Sequence, residues 1–154
     1  MTIRTGTLPR GVKVIIGFHL FSLMIWSVGQ IGALVSYDTV AAWGFQDPRS
    51  LVDPVIVQVN QGIALADTII MLPLFLVAAV GLFRKRYYGA VASWLVFGMT
   101  LYWPVVFWSS QSFYARGDTL HVPTAAAAVI LPTALMLIAA WGSWYLWRNR
   151  ALLR

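Results

Sequence analysis

Four long apolar stretches, residues 12–35, 55–83, 88–113 and 122–147, alternate with short polar connections along the chain. Each meets or exceeds the roughly 20 residues that a helix needs to cross about 30 Å of hydrocarbon at about 1.5 Å per residue. The pattern predicts an all-α, polytopic membrane protein: an antiparallel four-transmembrane-helix bundle forming a single domain over residues 1–154. Little chain is left for a soluble domain. The inner connection RKRYYG (84–89) is tight, which makes the second and third helices antiparallel neighbours. The first outer loop, residues 36–54, mixes Trp43, Phe45, Leu51 and Val52 with polar residues. That mixture predicts a partly interfacial segment, a lid or shelf that ends at Asp47-Pro48. Asp53-Pro54 reads as a helix start, with Asp53 as N-cap and Pro54 at the first helical position. In the second outer loop, Gly117-Asp118 marks a turn and Pro123 a further helix start.

Composition agrees with the spans, since 60% of residues are hydrophobic and only 10% are charged. The cations are unevenly placed. Arg4, Arg10 and Lys13 precede the first span, Arg84, Lys85 and Arg86 lie between the second and third, and Arg148, Arg150 and Arg154 follow the fourth. Arg49 and Arg116 alone fall in the other two connections, beside Asp38, Asp47, Asp53 and Asp118. Because Lys and Arg accumulate on the cytoplasmic side, both termini are expected there, most simply in a prokaryotic inner membrane. A polybasic rim against anionic lipid headgroups accounts for the net charge of +6, with no nucleic acid needed. The first span is too long for a signal-peptide core and lacks a small-x-small cleavage site at a suitable place. Tyr and Trp flank the spans as interfacial belts: Tyr87, Tyr88, Trp144, Tyr145 and Trp147 inside, Tyr37, Trp43, Trp108 and Tyr114 outside.

Within this apolar background Asp67 stands out. Ionising a carboxylate away from water costs several kcal/mol unless something compensates, so an acid inside a span faces the bundle interior or an aqueous cleft. Asp67 lies 17 residues from Arg84, hence about 25 Å from the cytoplasmic end. The same count on the other helices gathers Gln30, Asp67, Tyr102 and Thr133 in one layer. At about 100° per residue Asn60 and Asp67 share a face of the second helix, and His19, Leu23, Trp26 and Gln30 form a stripe on the first. The expected ligand-binding set is Asp67, Asn60, Gln30, Tyr102, Trp103 and Trp26, with Trp108 as a further wall and Gln111, His121 and Asp53 at the mouth of an outward funnel. Pro73, Pro104 and Pro132 each delete a helical hydrogen bond and free the carbonyls of Ile69, Thr100 and Ala128 for Thr hydroxyls, water or a cation.

Enzyme templates fail on counting. An intramembrane aspartyl protease needs two facing carboxylates, and only Asp67 is deep. His19 and His121 belong to opposite leaflets and the chain has no Glu, so neither a zinc hydrolase site nor paired haem ligation is expected. With no cysteine there is no thiolate metal site. Lys13 is at the membrane edge, where it cannot serve as a retinal Schiff base. No metal and no cofactor are expected, and His19 reads as a packing histidine. The pattern favours a binding or transport module that takes a small cationic, protonatable or amphipathic ligand at Asp67. A non-catalytic accessory subunit of a larger membrane complex is the alternative and a lipid-modifying enzyme the second alternative; because four helices enclose only a narrow cavity, a transporter is expected to form a homodimer.

Overall fold

The computed structural model describes residues 7–153, and the terminal cations Arg4 and Arg154 invoked for orientation lie outside them. The chain is all-helical, and its described residues contain four helices long and apolar enough to cross a membrane. These are α1 (Arg10–Val35), α3 (Pro54–Phe83), α4 (Tyr87–Arg116) and α5 (Ala127–Arg148), with a short α2 (Tyr37–Ala42) in the connection between α1 and α3. Large apolar side chains such as Leu20, Ile69, Leu95, Ile130 and Leu137 are exposed on their outer surfaces, as lipid contact requires.

Helix ends follow local chemistry. The Asp53 side chain accepts from the Val55 N–H at 2.9 Å, and Pro54 occupies the first helical position of α3, where a missing N–H costs nothing. At the other end of α3, Arg86 N–H donates to Gly81 and Lys85 N–H to Leu82, with Lys85 at φ 55. This is the Schellman arrangement with lysine in the left-handed position that glycine usually takes. The helix α2 ends the same way: Phe45 N–H reaches Val40, Gly44 N–H reaches Ala41, and Gly44 has φ 80.

The structure departs from the expected start of the last helix. It begins at Ala127 rather than near residue 122, and Pro123 lies in irregular chain ahead of it. The Asp53 N–H donates to the Leu120 carbonyl at 2.7 Å and Val122 packs on the apolar cluster around Val52 and Ile56. Those contacts engage Leu120 and Val122 in irregular chain ahead of the helix.

Helix packing divides the molecule into two apolar clusters. In one, Val12, Ile15 and Phe18 of α1 meet Leu72, Phe75 and Leu82 of α3, Val96 and Phe97 of α4, and Ala139 and Leu146 of α5. In the other, Ala33, Tyr37, Val40, Val52, Ile56, Val57 and Ala64 join the C-terminal end of α1, α2 and the N-terminal half of α3. Leu72–Phe83 packs along both Arg10–Trp26 and α4, whereas Pro54–Ala66 makes its main contacts with Ser27–Val35. The N-terminal half of α3 therefore leans toward α1, and a gap opens on the side of α4 and α5.

Glycine permits the closest contact in the first cluster. A methyl group on Gly81 would meet the Gly89 backbone, and one on Gly89 would meet Leu82 N and the Gly81 backbone. Backbone atoms cannot yield as a flexible side-chain tip can. Gly81→Ala and Gly89→Ala are each expected to destabilise the protein by about 1–3 kcal/mol through overpacking. Gly62→Ala and Gly98→Ala, where nothing lies within 4 Å, are expected to be neutral or to gain up to about 1 kcal/mol from helix propensity. Thermal unfolding of the four variants in detergent checks both halves of this contrast.

Candidate functional site

Two helices lose their regular hydrogen-bond ladder at the same level. Ser27–Ile31 of α1 and Asp67–Met71 of α3 are π-helical and pack against each other. A π-turn inserts one residue and leaves carbonyls without their usual partners, which is why such turns gather at functional sites. In α3 the cause is visible in the sequence: Pro73 lacks the N–H that would bond the carbonyl of Ile69. In α1 the segment contains Gly29 and is followed by Gly32. Phe45 comes within 3.4 Å of a Cβ position on Gly29, and a Cβ on Gly32 would collide with Val40. The connection between α1 and α3 thus lies flat against α1 where α1 has no side chains.

Trp26 and Asp67 join these segments. The Trp26 indole N–H donates to Asp67 Oδ2 at 3.1 Å. Asp67 is only 7% exposed, and its other oxygen, Oδ1, has no protein partner yet is not sealed off. Asp67 lines a cavity of about 430 Å³ that borders the first apolar cluster through Phe18, Met71 and Phe75. This volume is within the range usual for small-molecule sites.

Of the residues that the sequence singles out, Asp67, Asn60, Gln30, Trp103 and Trp26 line this cavity together. Tyr102 does not. It is 61% exposed, because the cavity face of α4 is Met99, Thr100, Trp103, Pro104 and Phe107, and Tyr102 stands about 130° from its centre. Thr133 is also exposed, and its hydroxyl donates to the Val129 carbonyl. The expected mouth is likewise corrected. Asp53 is occupied as an N-cap, the His121 ring bonds the Thr119 carbonyl at 2.7 Å and packs on Tyr114, and Gln111 Oε1 is buried without a partner. None of the three lines the cavity.

The rim is instead Gly44, Phe45, Gln46 and Asp47, carried inward by the left-handed turn at Gly44. Sequence reasoning assigns Asp47 only a loop-ending role; its apolar neighbour Phe45 was the available signal that this segment turns inward. Asp47 is half-buried, forms no hydrogen bond or ion pair among the described residues, and desolvation raises the pKa of its carboxyl above the ordinary value. Arg49, two residues on, is engaged elsewhere: it pairs with Asp38 at 2.9 Å and lies 4.5 Å above the Tyr37 ring. The Tyr37 hydroxyl is buried beside the Asn60 amide without a well-formed hydrogen bond. Burial raises its pKa, and the nearby Asp47 charge adds to the effect.

Of the carbonyls freed by proline, that of Ala128 accepts from the Trp108 indole at 3.1 Å. Trp108 is therefore a link between α4 and α5 and not a cavity wall. Below the cavity, His19 is fully buried, stacked on Phe97 with ring centroids 5.4 Å apart. Its Nε2 is 2.9 Å from Ser93 Oγ, and that hydroxyl donates to the Gly89 carbonyl. Since the single hydroxyl proton is committed, Nε2 carries the donor hydrogen and Nδ1 faces apolar surroundings without a partner.

Two measurements follow. Trp26→Phe removes the donor to Asp67 while keeping the ring. A double-mutant cycle with Asp67→Leu, read by thermal unfolding, is expected to return a coupling of about 1–3 kcal/mol. For Asp47 the folded carboxyl binds its proton more tightly than the unfolded one, so it lowers stability as pH rises above the unfolded value of 3.8 and through the raised folded value. Asp47→Asn is expected to be more stable than the parent at neutral pH. That gain should shrink as pH falls toward the ordinary carboxylate range, in melting curves taken across pH. Comparison with protein-family models, curated proteins and solved structures finds no match to this chain, so its chemistry is read from this cavity alone.

Proposed function

We propose that this protein is an integral membrane binding or transport module whose cavity takes a small cationic, protonatable or amphipathic ligand at Asp67. The observation that carries this reading is the charge of the lining. Asp67 and Asp47 both face the cavity, and no Lys, Arg or His accompanies them. A carboxylate withdrawn from water without a fixed countercharge is poorly compensated until a mobile cation arrives. Trp26, Phe45, Phe75, Trp103 and Phe107 supply apolar and π-electron surface to such a guest.

Orientation belongs to the same proposal. The cations on the RKR turn and beside both ends of the chain put the termini on the cytoplasmic side of an antiparallel bundle. The Gly44–Asp47 rim then faces outward, and the ligand arrives from outside. The cytoplasmic rim meets anionic headgroups through the same cations, with Arg148 and Arg150 lying over Trp144 and Trp147 at that edge.

A second reading, a non-catalytic subunit of a larger membrane complex, has its own support in α5. That helix is the least enclosed of the four, and it exposes Ile130, Leu131, Leu137 and Trp144. Thermal unfolding of the purified protein and of Asp67→Asn, against organic amines and inorganic cations from about pH 5 to about 9, separates the two. Under the ligand reading a cation raises the melting temperature of the parent, and the rise is lost in Asp67→Asn. If Asp67→Asn is clearly less stable and no cation moves either protein, Asp67 is interhelical glue and the subunit reading replaces this one.

A further inference from the structure

Three prolines interrupt the hydrogen-bond ladders of the long helices, and the carbonyls they free meet different fates. Pro73 frees that of Ile69, which is 64% exposed and takes no part in the cavity lining. Pro132 frees that of Ala128; both residues line the cavity, but the Trp108 indole N–H closes this gap at 3.1 Å. Pro104 frees that of Thr100, and these two residues also line the cavity. No side chain among the described residues donates to the Thr100 carbonyl. The Thr100 hydroxyl gives its own proton to the Val96 carbonyl at 2.9 Å, so its oxygen can only accept further bonds. Thr100 thus adds acceptors without a donor to a lining that already includes Asp67, whose Oδ2 takes the Trp26 N–H and whose Oδ1 takes none.

We propose that the ligand is a protonated organic amine, an ammonium that keeps at least one N–H and carries an apolar body, with Asp67 as its first acceptor and the Thr100 carbonyl as a further one. This rests on the cationic-ligand reading and narrows its chemical class. The argument is one of matching donors to acceptors. A quaternary ammonium has the same charge but no N–H, and it would cover the open carboxylate oxygen and the Thr100 carbonyl without bonding either. A metal ion matches the oxygens but not the rest of the wall. Hard divalent cations take about six or more oxygen ligands, and among the described residues no three His or Asp side chains gather as such a group. Met71, Phe75, Met99, Trp103, Phe107 and Leu135 make up much of the remaining lining. A bare ion leaves that apolar surface wet, whereas an organic body covers it.

The test uses 2-phenylethylamine and its N-methyl, N,N-dimethyl and N,N,N-trimethyl derivatives. All carry one positive charge at neutral pH and the same ring, and they differ in the N–H groups that remain. Affinities are measured by titration calorimetry on the full chain in lipid nanodiscs, with empty nanodiscs as the blank and sodium and potassium chloride as inorganic probes. The three amines with an N–H are expected to bind about tenfold tighter than the trimethyl compound, as a hydrogen bond to a charged acceptor implies. The largest drop should fall at the last methylation, which removes the final N–H but adds no more bulk than the earlier steps. Asp67→Leu should abolish that drop. Pro104→Ala, which returns an N–H to the Thr100 carbonyl, should weaken the primary amine by about threefold and leave the trimethyl compound unchanged. The methylation series is read on the parent and depends on neither variant. A trimethyl compound that binds as well as the dimethyl one, or a drop that survives Asp67→Leu, overturns the N–H contact at Asp67 and leaves a site that reads charge and ring surface alone. An unchanged primary amine in Pro104→Ala overturns the part given to Thr100. Binding of sodium or potassium with none of the amines overturns the organic ligand but keeps the cationic reading. Failure of every one of these cations to bind the parent removes the cationic reading itself.

Discussion

The hydrogen bond from Trp26 to Asp67 is the constraint around which the rest of the molecule is arranged. A carboxylate that is only 7% exposed has little water to hydrogen-bond, so a partner has to come from the chain or from a ligand. The indole N–H supplies one bond and no charge. Asp67 is therefore held in place but not neutralised, and it lines the cavity with one oxygen left over. Both residues sit where their helices depart from α geometry, Trp26 just before one π-segment and Asp67 at the start of the other. The bond marks the level at which the first cluster ends and the N-terminal half of α3 turns toward α1.

Below that level the structure is closed by backbone contact. Gly81 meets Gly89, Gly142 admits the Phe97 ring, and Gly11 admits Tyr145. The buried His19 and Ser93 bond each other and the Gly89 carbonyl, tying α1 to α4 through the residue that also makes the closest approach to α3. Above it the connections come from a loop: Phe45 on Gly29, Val40 on Gly32, and Asp53 N–H to Leu120. Contacts of the first kind join helix to helix, whereas those of the second depend on the dihedral angles of a loop. The cavity lies at the boundary between these two regimes.

Much of the scaffold is legible in the sequence because bilayer thickness and helix rise leave few alternatives. The spans follow from run length, and the Asp53 cap follows from the Asp-Pro pair. Depth counting also groups Gln30 with Asp67, and the shared helix face adds Asn60, since rise and rotation per residue are fixed in a helix. Tyr102 is misplaced by the same method, because depth was matched there without checking the face. The mouth is harder to read. Whether Asp47 or Asp53 faces a cavity depends on loop dihedrals, and a carboxylate used as a cap looks the same in sequence as one left free. The π-segment of α1 has no proline to announce it; only Gly29 and Gly32, opposite Phe45 and Val40, hint at the reason. The satisfaction of Ala128 by Trp108 is a tertiary pairing that no local rule supplies.

The paired π-segments carry a further meaning. Each is equivalent to one residue inserted into a regular helix, and each insertion turns everything beyond it by about 100° relative to an uninterrupted ladder. Without the extra residue in α3, the face that carries Asn60 and Asp67 would turn by about 100° relative to Leu72–Phe83, which packs on α1 and α4, and would leave the cavity. Without its counterpart in α1, Gly32 and the residues beyond it would turn in the same way relative to Trp26. The polar lining is thus a property of chain length between fixed points as much as of residue identity. A relative with all the same side chains but one residue fewer in either segment would have the same hydropathy profile and no such cavity.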